Sequence, residues 1–373
     1  MVCDGWRQAM GGIYNLLWHI YKQITSSLMG GIFRPDSPTS SSCQKTRPVI
    51  AHTVSSLAMS AVFGVLTWLG SKETFVENGR RSDDWNLDEH GFCLLEDMPM
   101  PVAEKDLVQH AGFECRGRPV LFGFEGDAPT LLTPEAREAS FGLDQWLVYY
   151  KHVATAAKKV IPEAEYVILS GHSTFCAELS PLRQVAFALR SCFLGAMRLL
   201  GKEETPPMGA MPDFIHADHT VEQGARLLST ALESFGGLNF TGRRVLSVNF
   251  WRNARAKALI KNHHMAVVNA QTISDEELQA SKFTNYKMGG LEQYHLTRLS
   301  SKQRLVYFPD MQNSEILVFK QGAYDVSEAN VTPLAEPHKH HILHTAFLDP
   351  TAPRGAIPRK AICCPGVLVV LKK

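Results

Sequence analysis

Apolar and polar positions repeat with two different periods along this chain. Residues 149–161 space their apolar side chains as a helix does and stop before Pro162, whose ring cannot continue one. Residues 221–228 follow the same period, with Thr220 placed to cap the first turn. Further on, the period shortens toward that of strands. Residues 244–252, 265–269, 303–309 and 315–320 are each expected to be extended, the last two divided by a Pro-containing turn. A final strand is expected over about 359–371, after a Pro/Gly-rich loop over 348–358. Upstream, residues 166–170 predict a strand leading into Gly171-His172, and residues 87–92 a turn into a strand. The stretch 102–148 reads as short polar segments with an amphipathic helix.

Many short strands toward the C-terminus, with helices upstream, predict a mainly β fold with buttressing helices. Its core would be a double-stranded β-helix, the cupin-like jelly roll, mostly within residues 165–373 of a single domain over 49–373. Residues 1–48 read as a separate leader: an amphipathic helix near 11–21, then a Ser/Pro-rich linker over 35–42. Packing on the body or contact with a partner, such as a second copy of the chain in a homodimer, is the expected use of that helix. The start lacks the basic, apolar and small-residue succession of a signal peptide. Residues 50–70 reach membrane-spanning length, but Thr53, Ser55, Ser56, Ser60 and Thr67 interrupt them. A buried strand and tight turn is the favoured reading there. Residues 180–206 read as an apolar helical stretch and a polar loop.

Composition narrows the partners. With 38 basic and 37 acidic residues among 373, the formal charge is +1, and no basic run carries interleaved aromatics. A nucleic-acid partner is therefore not expected, whereas a small-molecule substrate is. The eight cysteines form no Cys-x-x-Cys pair, and the adjacent Cys363 and Cys364 are poorly placed to bridge each other. Zinc-ribbon and disulfide-scaffold readings fall away, leaving a reducing, cytoplasmic compartment as the expectation.

Candidate chemistry centres on His216-Ala217-Asp218. Two residues apart on a strand, the imidazole and carboxylate point to one side. That is two thirds of a two-histidine, one-carboxylate iron site, which occupies one face of an octahedron and leaves three positions open. His344 is the best third ligand, opening the apolar stretch before Asp349-Pro350. Its neighbour His340 shares its parity, while His338 and His341 fit local hydrogen bonding and the adjacent pair His263-His264 is a poor chelate. A 2-oxo acid co-substrate would need a cation for its far carboxylate, which the arginine fork suits. Arg359, at the start of the last strand, and Arg354, in the preceding loop, both compete for this role. Asn249, Trp251, Arg252, Tyr307, Glu315 and His172 are further candidates for lining the cavity.

Several motifs in order resemble the fungal and bacterial hydroxylase/desaturase family, which includes AsaB-like biosynthetic enzymes, gibberellin desaturase and the cephamycin 7-alpha-methoxylation component. They are Leu87-Asp88-x-x-Gly91-Phe92, His216-x-Asp218-x-Thr220, Asn249-x-Trp251-Arg252, Tyr307-Phe308-Pro309-Asp310-Met311 with Glu315-Ile316-Leu317-x-Phe319-Lys320, His344-Thr345-Ala346-Phe347-x-Asp349-Pro350, and Pro358-Arg359. The resemblance implies a non-haem iron(II), 2-oxoglutarate-dependent oxygenase of secondary metabolism, using molecular oxygen. It implies His216, Asp218 and His344 as metal ligands and puts Arg359 ahead of Arg354 as the co-substrate anchor; from the residues themselves, Tyr307 and Arg252 are also expected on the cofactor side. Departures lie around this set. Asn253 replaces the proline usual after Trp-Arg, Ala361 replaces a serine beyond Arg359, and Cys363-Cys364-Pro365 stands where an acidic residue and a second arginine are common. Alternatives are a metal-dependent isomerase, cyclase or hydrolase on the same barrel, or a catalytically silent ligand-binding protein.

Overall fold

The computed structural model describes residues 48–49, 74–82, 84–104, 114–133, 143–176, 215–236, 238–283, 291–296, 300–347, 349, 351–357 and 359–373. All of these belong to one compact unit, Thr46–Lys373. The expected helix and linker of the leader, the apolar stretch 50–70 and the helical stretch 180–206 lie outside the described residues. Among those described, no helix is long and apolar enough to cross a membrane.

The architecture is mainly β, with two sheets forming the jelly-roll core and helices against it. In chain order the strands are β1 (Pro48–Val49), β2 (Thr74–Asn78), β3 (Phe92–Leu95), β4 (Glu114–Glu125), β5 (Ala128–Leu131), β6 (Ala164–Cys176), β7 (His216–Ala217) and β8 (Arg244–Asn253). Then come β9 (His264–Val268), β10 (Leu278–Phe283), β11 (Leu291–Leu296), β12 (Leu305–Tyr307), β13 (Ile316–Val326), β14 (Val331–Pro333), β15 (His344–Phe347) and β16 (Lys360–Leu371). Helix α1 (Leu143–Val160) precedes β6, and α2 (Val221–Glu233) follows β7. One sheet runs β1-β2-β12-β9-β15-β7-β11-β10, the other β14-β13-β8-β16-β6-β4-β5, with β3 also on β13.

Expected elements are present with shifted ends. Helix α1 begins six residues before the stretch whose periodicity announced it and ends before Pro162 as expected. Thr220 caps α2, its hydroxyl accepting from Gln223 N at 3.3 Å. The strand expected at 166–170 does not stop at Gly171. It continues to Cys176, because β4 and β16 pair along both of its edges. Part of the stretch read as containing a helix is instead the hairpin β4–β5, turned at Gly126-Asp127, with Gly126 in the left-handed region at φ 64°.

Alternation assigns the faces. On β8, Asn249 and Trp251 point between the sheets, while Val248 and Phe250 point outward into a core with Tyr149, Val153 and Ala157 of α1. The inward side holds Trp251, Val267, Val306, Leu317, Phe319, Ala361 and Cys363 in one buried cluster. Toward its other end, Val245, Tyr324, Leu368 and Val370 pack under Leu228 and Ala231 of α2. Gly224 lets that helix approach closely, since a Cβ there would sit 1.8 Å from the Tyr324 hydroxyl oxygen. Burial on this scale, about 25 cal/mol per Å² of apolar surface, is what holds the sheets together.

Candidate metal centre

His216, Asp218 and His344 come together. In the β7–β15 register His216 stands directly opposite His344, and both face inward. The rings lie 4.4 Å apart between centroids, at 44°. Asp218 follows β7 in the bend before α2, so the capped helix fixes where the strand stops and the carboxylate begins. Its Oδ1 is 3.7 Å from His216 Nε2 and 3.6 Å from His344 Nε2. The three ligand atoms lie within 4.8 Å of one another, a spacing that can hold a metal ion. Both histidines are buried.

The protonation pattern fits a cation. His344 Nδ1 is 3.2 Å from the Ile342 carbonyl oxygen. A carbonyl only accepts, so this contact puts the proton on Nδ1 and leaves the Nε2 lone pair toward the centre. Burial alone would raise the Asp218 carboxyl. Positive charge on the imidazoles of His344, His216 and His219 when they are protonated, with the Asn249 amide, outweighs it and holds the carboxyl below its usual range. Asn249 Nδ2 donates to Asp218 Oδ2 at 2.6 Å, and Asn249 Oδ1 accepts from Gly366 N at 2.7 Å. Gln321 Oε1 accepts from Asp218 N at 2.8 Å, while its Nε2 donates to the Lys320 and Ile342 carbonyls, each at 2.9 Å. Sequence reasoning named Asn249 only as one of several candidates and missed Gln321.

Arg359 is buried at the start of β16. Its Nη1 donates to His263 O at 2.5 Å, and its guanidinium lies 5.2 Å from the centroid of the inward-facing Trp251 ring. Beyond it on the same strand, Ala361 and Cys363 face inward, opposite Asn253 and Trp251. Burial, and after it the Asp218 charge, push the Cys363 thiol well above its usual range, so it is a neutral wall group. Arg354 is exposed in its loop.

Two expected cofactor contacts lie elsewhere. Arg252 neighbours Trp251 on β8 and therefore faces the other way, donating to the Met98 carbonyl at 2.5 Å and to the Asn313 carbonyl, with His152 Nε2 at 3.1 Å. Tyr307 pairs with Ala266, whereas Val306 shares the inward row with Val267 and His344. Its ring meets His264 at 5.0 Å and Phe347 at 5.2 Å on the outer side of that sheet. Glu315 pairs with Arg80 at 2.7 Å. His172 meets Tyr150 and the Trp146 ring under α1. Of the remaining histidines, His340 ends a helical turn rather than extending the strand of His344, and His338 bonds Asp275.

The fold and site thus define a jelly-roll protein with a two-histidine, one-carboxylate facial triad, an arrangement consistent with Fe(II) binding. A family model described as an oxidoreductase/YMDC permease-like domain matches residues 146–365, more than half of the chain, and the chain belongs to that family. Among solved structures it is similar to an iron and alpha-ketoglutarate-dependent endoperoxidase, NvfI, at 17% identity and a TM-score of 0.53, covering 80% of this chain and 85% of that one. A tryptophan-to-phenylalanine variant of that protein matches over the same shares, at 18% identity and a TM-score of 0.51. At such identities the likeness establishes the shared fold. No curated protein sequence matches the chain significantly.

Proposed function

We propose that the protein is an iron(II)- and 2-oxoglutarate-dependent dioxygenase that hydroxylates or desaturates a small-molecule intermediate of secondary metabolism. The observation that carries this reading is the convergence of His216 Nε2, Asp218 Oδ1 and His344 Nε2. Iron(II) with 2-oxoglutarate and oxygen supplies the oxidising power needed to attack an unactivated C–H bond. His216, Asp218 and His344 would hold the ion, and three protein ligands would leave room on it for co-substrate and oxygen. Arg359 receives the far carboxylate of 2-oxoglutarate. Its place over Trp251 fixes the orientation of the intrinsically planar fork and keeps it out of bulk water, which strengthens an ion pair formed there. Trp251, Leu317 and Phe319 supply the apolar wall that excludes water. The ordered motifs of the hydroxylase/desaturase family support the same reaction class.

The test is succinate formation from 2-oxoglutarate under iron(II) and oxygen, in the presence of candidate substrates. His216→Ala and Asp218→Ala are expected to abolish it with the fold intact. Turnover that persists without oxygen and 2-oxoglutarate would replace this reading with a metal-dependent isomerase, cyclase or hydrolase. Folded protein that takes up no divalent metal would replace it with ligand binding alone.

A further inference from the structure

The two strands that flank β8 in the second sheet, β13 and β16, are each interrupted within two residues of the level of Asn249. On β13 the register with β8 passes from Lys320↔Val248 to Gly322↔Ser247, so Gln321 is one residue too many. On β16 it passes from Cys364↔Phe250 to Val367↔Val248, again with one extra residue, at Pro365-Gly366. Gly366 sits at φ 59°, a left-handed conformation that glycine adopts without the penalty of a Cβ. Asn249 on β8 therefore stands opposite the bulge of β16 and, paired with Phe319, within two residues of the level of the bulge of β13. Bulges re-aim side chains and free backbone groups from the ladder. Here each bears one polar group bonded to Asn249 or Asp218. At the bulge on β16 the Gly366 N–H donates to Asn249 Oδ1, and at the bulge on β13 Gln321, on the inward parity of Leu317 and Phe319, accepts from Asp218 N.

We propose that these paired bulges, with Asn249 between them, are a cradle that sets the denticity and spacing of the metal ligands. The inference rests on the metal-centre reading above. Asn249 is fully buried, and its Oδ1 is taken up by Gly366 N, so its amide cannot turn over without losing that bond. Its Nδ2 must then point at Asp218 Oδ2, which leaves Oδ1, the oxygen nearest both imidazoles, as the single carboxylate ligand. Gln321 does the complementary work between strands. One end of its buried amide holds Asp218 N, and the other holds the Ile342 carbonyl that also orients His344 Nδ1. The Asp218 bend and the His344 strand are thus joined through one side chain. Asn249 and Gln321 are positioning residues, since neither touches the ion.

The experiment is Co(II) titration of the full-length protein, followed by visible absorption and calorimetry, with circular dichroism and melting as fold controls. Wild-type protein is expected to bind one Co(II), and His216→Ala to lose it. Asn249→Leu and Gln321→Met are expected to bind about 10–100-fold more weakly, the usual cost of removing an outer partner of a ligand. Asn249→Leu should also change the Co(II) band shape as both carboxylate oxygens become available, whereas a merely structural role would lower the melting temperature without moving the spectrum. Asn249→Ser, which keeps a small polar group beside Gly366, is measured alongside in case the leucine variant fails to fold, and the same weakening is expected. Folded variants that bind Co(II) with wild-type affinity and spectrum would overturn the cradle alone. Wild-type protein that takes up no Co(II) would overturn the cradle and the metal centre together.

Discussion

Replacing Arg252 separates two roles that its place in the sequence makes equally plausible. As part of Asn249-x-Trp251-Arg252 it was expected to reach a 2-oxo acid. In the fold it is fully buried on the far side of β8 and ties that strand to the carbonyls of Met98 and Asn313. Arg252→Met keeps most of the aliphatic volume and removes the donors. Each buried carbonyl left without its partner costs about 1–3 kcal/mol. Part of this is returned, because burial already disfavours the charge and pushes the guanidinium pKa below its ordinary value. A net loss of roughly 2–4 kcal/mol follows, which lowers the melting temperature of a domain this size by about 3–6 °C. The assay pairs a thermal melt with calorimetric titration of 2-oxoglutarate into Mn(II)-loaded protein below the melt. The expected result is that fall in melting temperature with co-substrate affinity within about twofold of wild type, since distant sites couple weakly. An unchanged melting temperature with 2-oxoglutarate affinity down tenfold or more would refute the reasoning and place Arg252 in the cavity.

Arg359→Met should do the reverse, weakening 2-oxoglutarate binding to the Mn(II)-loaded protein by at least about tenfold while Mn(II) affinity holds, because a charge-assisted pair to the carboxylate is lost; calorimetry with each ligand checks this. Thr220→Ala removes the cap of α2 and should cost about 1 kcal/mol, a fall of about 1.5 °C in a melt. Acid should destabilise the metal-free protein before any carboxylate is protonated. Burial holds His264 at about 4 and His341 at about 3, well below the usual histidine range, so the unfolded chain binds more protons once pH falls under about 6.5. Each of the two then costs about 1 kcal/mol at about pH 5.5, and a melting temperature that stays level between about pH 7.5 and 5.5 would contradict it.

Side-chain parity within one strand was legible in the sequence and agreed with the structure for His216 and Asp218, but not for His340, which closes a helical turn instead of continuing the strand of His344. His216 and Asp218 were placed on one side by their spacing, and His344 by its position ahead of an apolar stretch. The same rule already separated Arg252 from Asn249 and Trp251. The motif drew it toward the cavity, yet adjacent strand residues cannot share a face. Tyr307 needed more than parity, because β12 has only three residues and its inward member, Val306, is identified by its pairing with Val267. The hairpin at Gly126-Asp127 carried a local turn signal between apolar runs that the helical reading passed over. Gln321 has the parity of the inward-facing Leu317 and Phe319, so its side was legible, but nothing local marked it as a bulge residue. A glutamine after Phe319-Lys320 reads as the next alternating residue of a strand, and only the count of residues against β8 shows it to be an extra one. A bulge is a mismatch between two strands, here about seventy residues apart in the chain, so neither strand records it alone. The candidate triad was therefore readable from local spacing, while the groups that hold it still depend on pairing between distant segments.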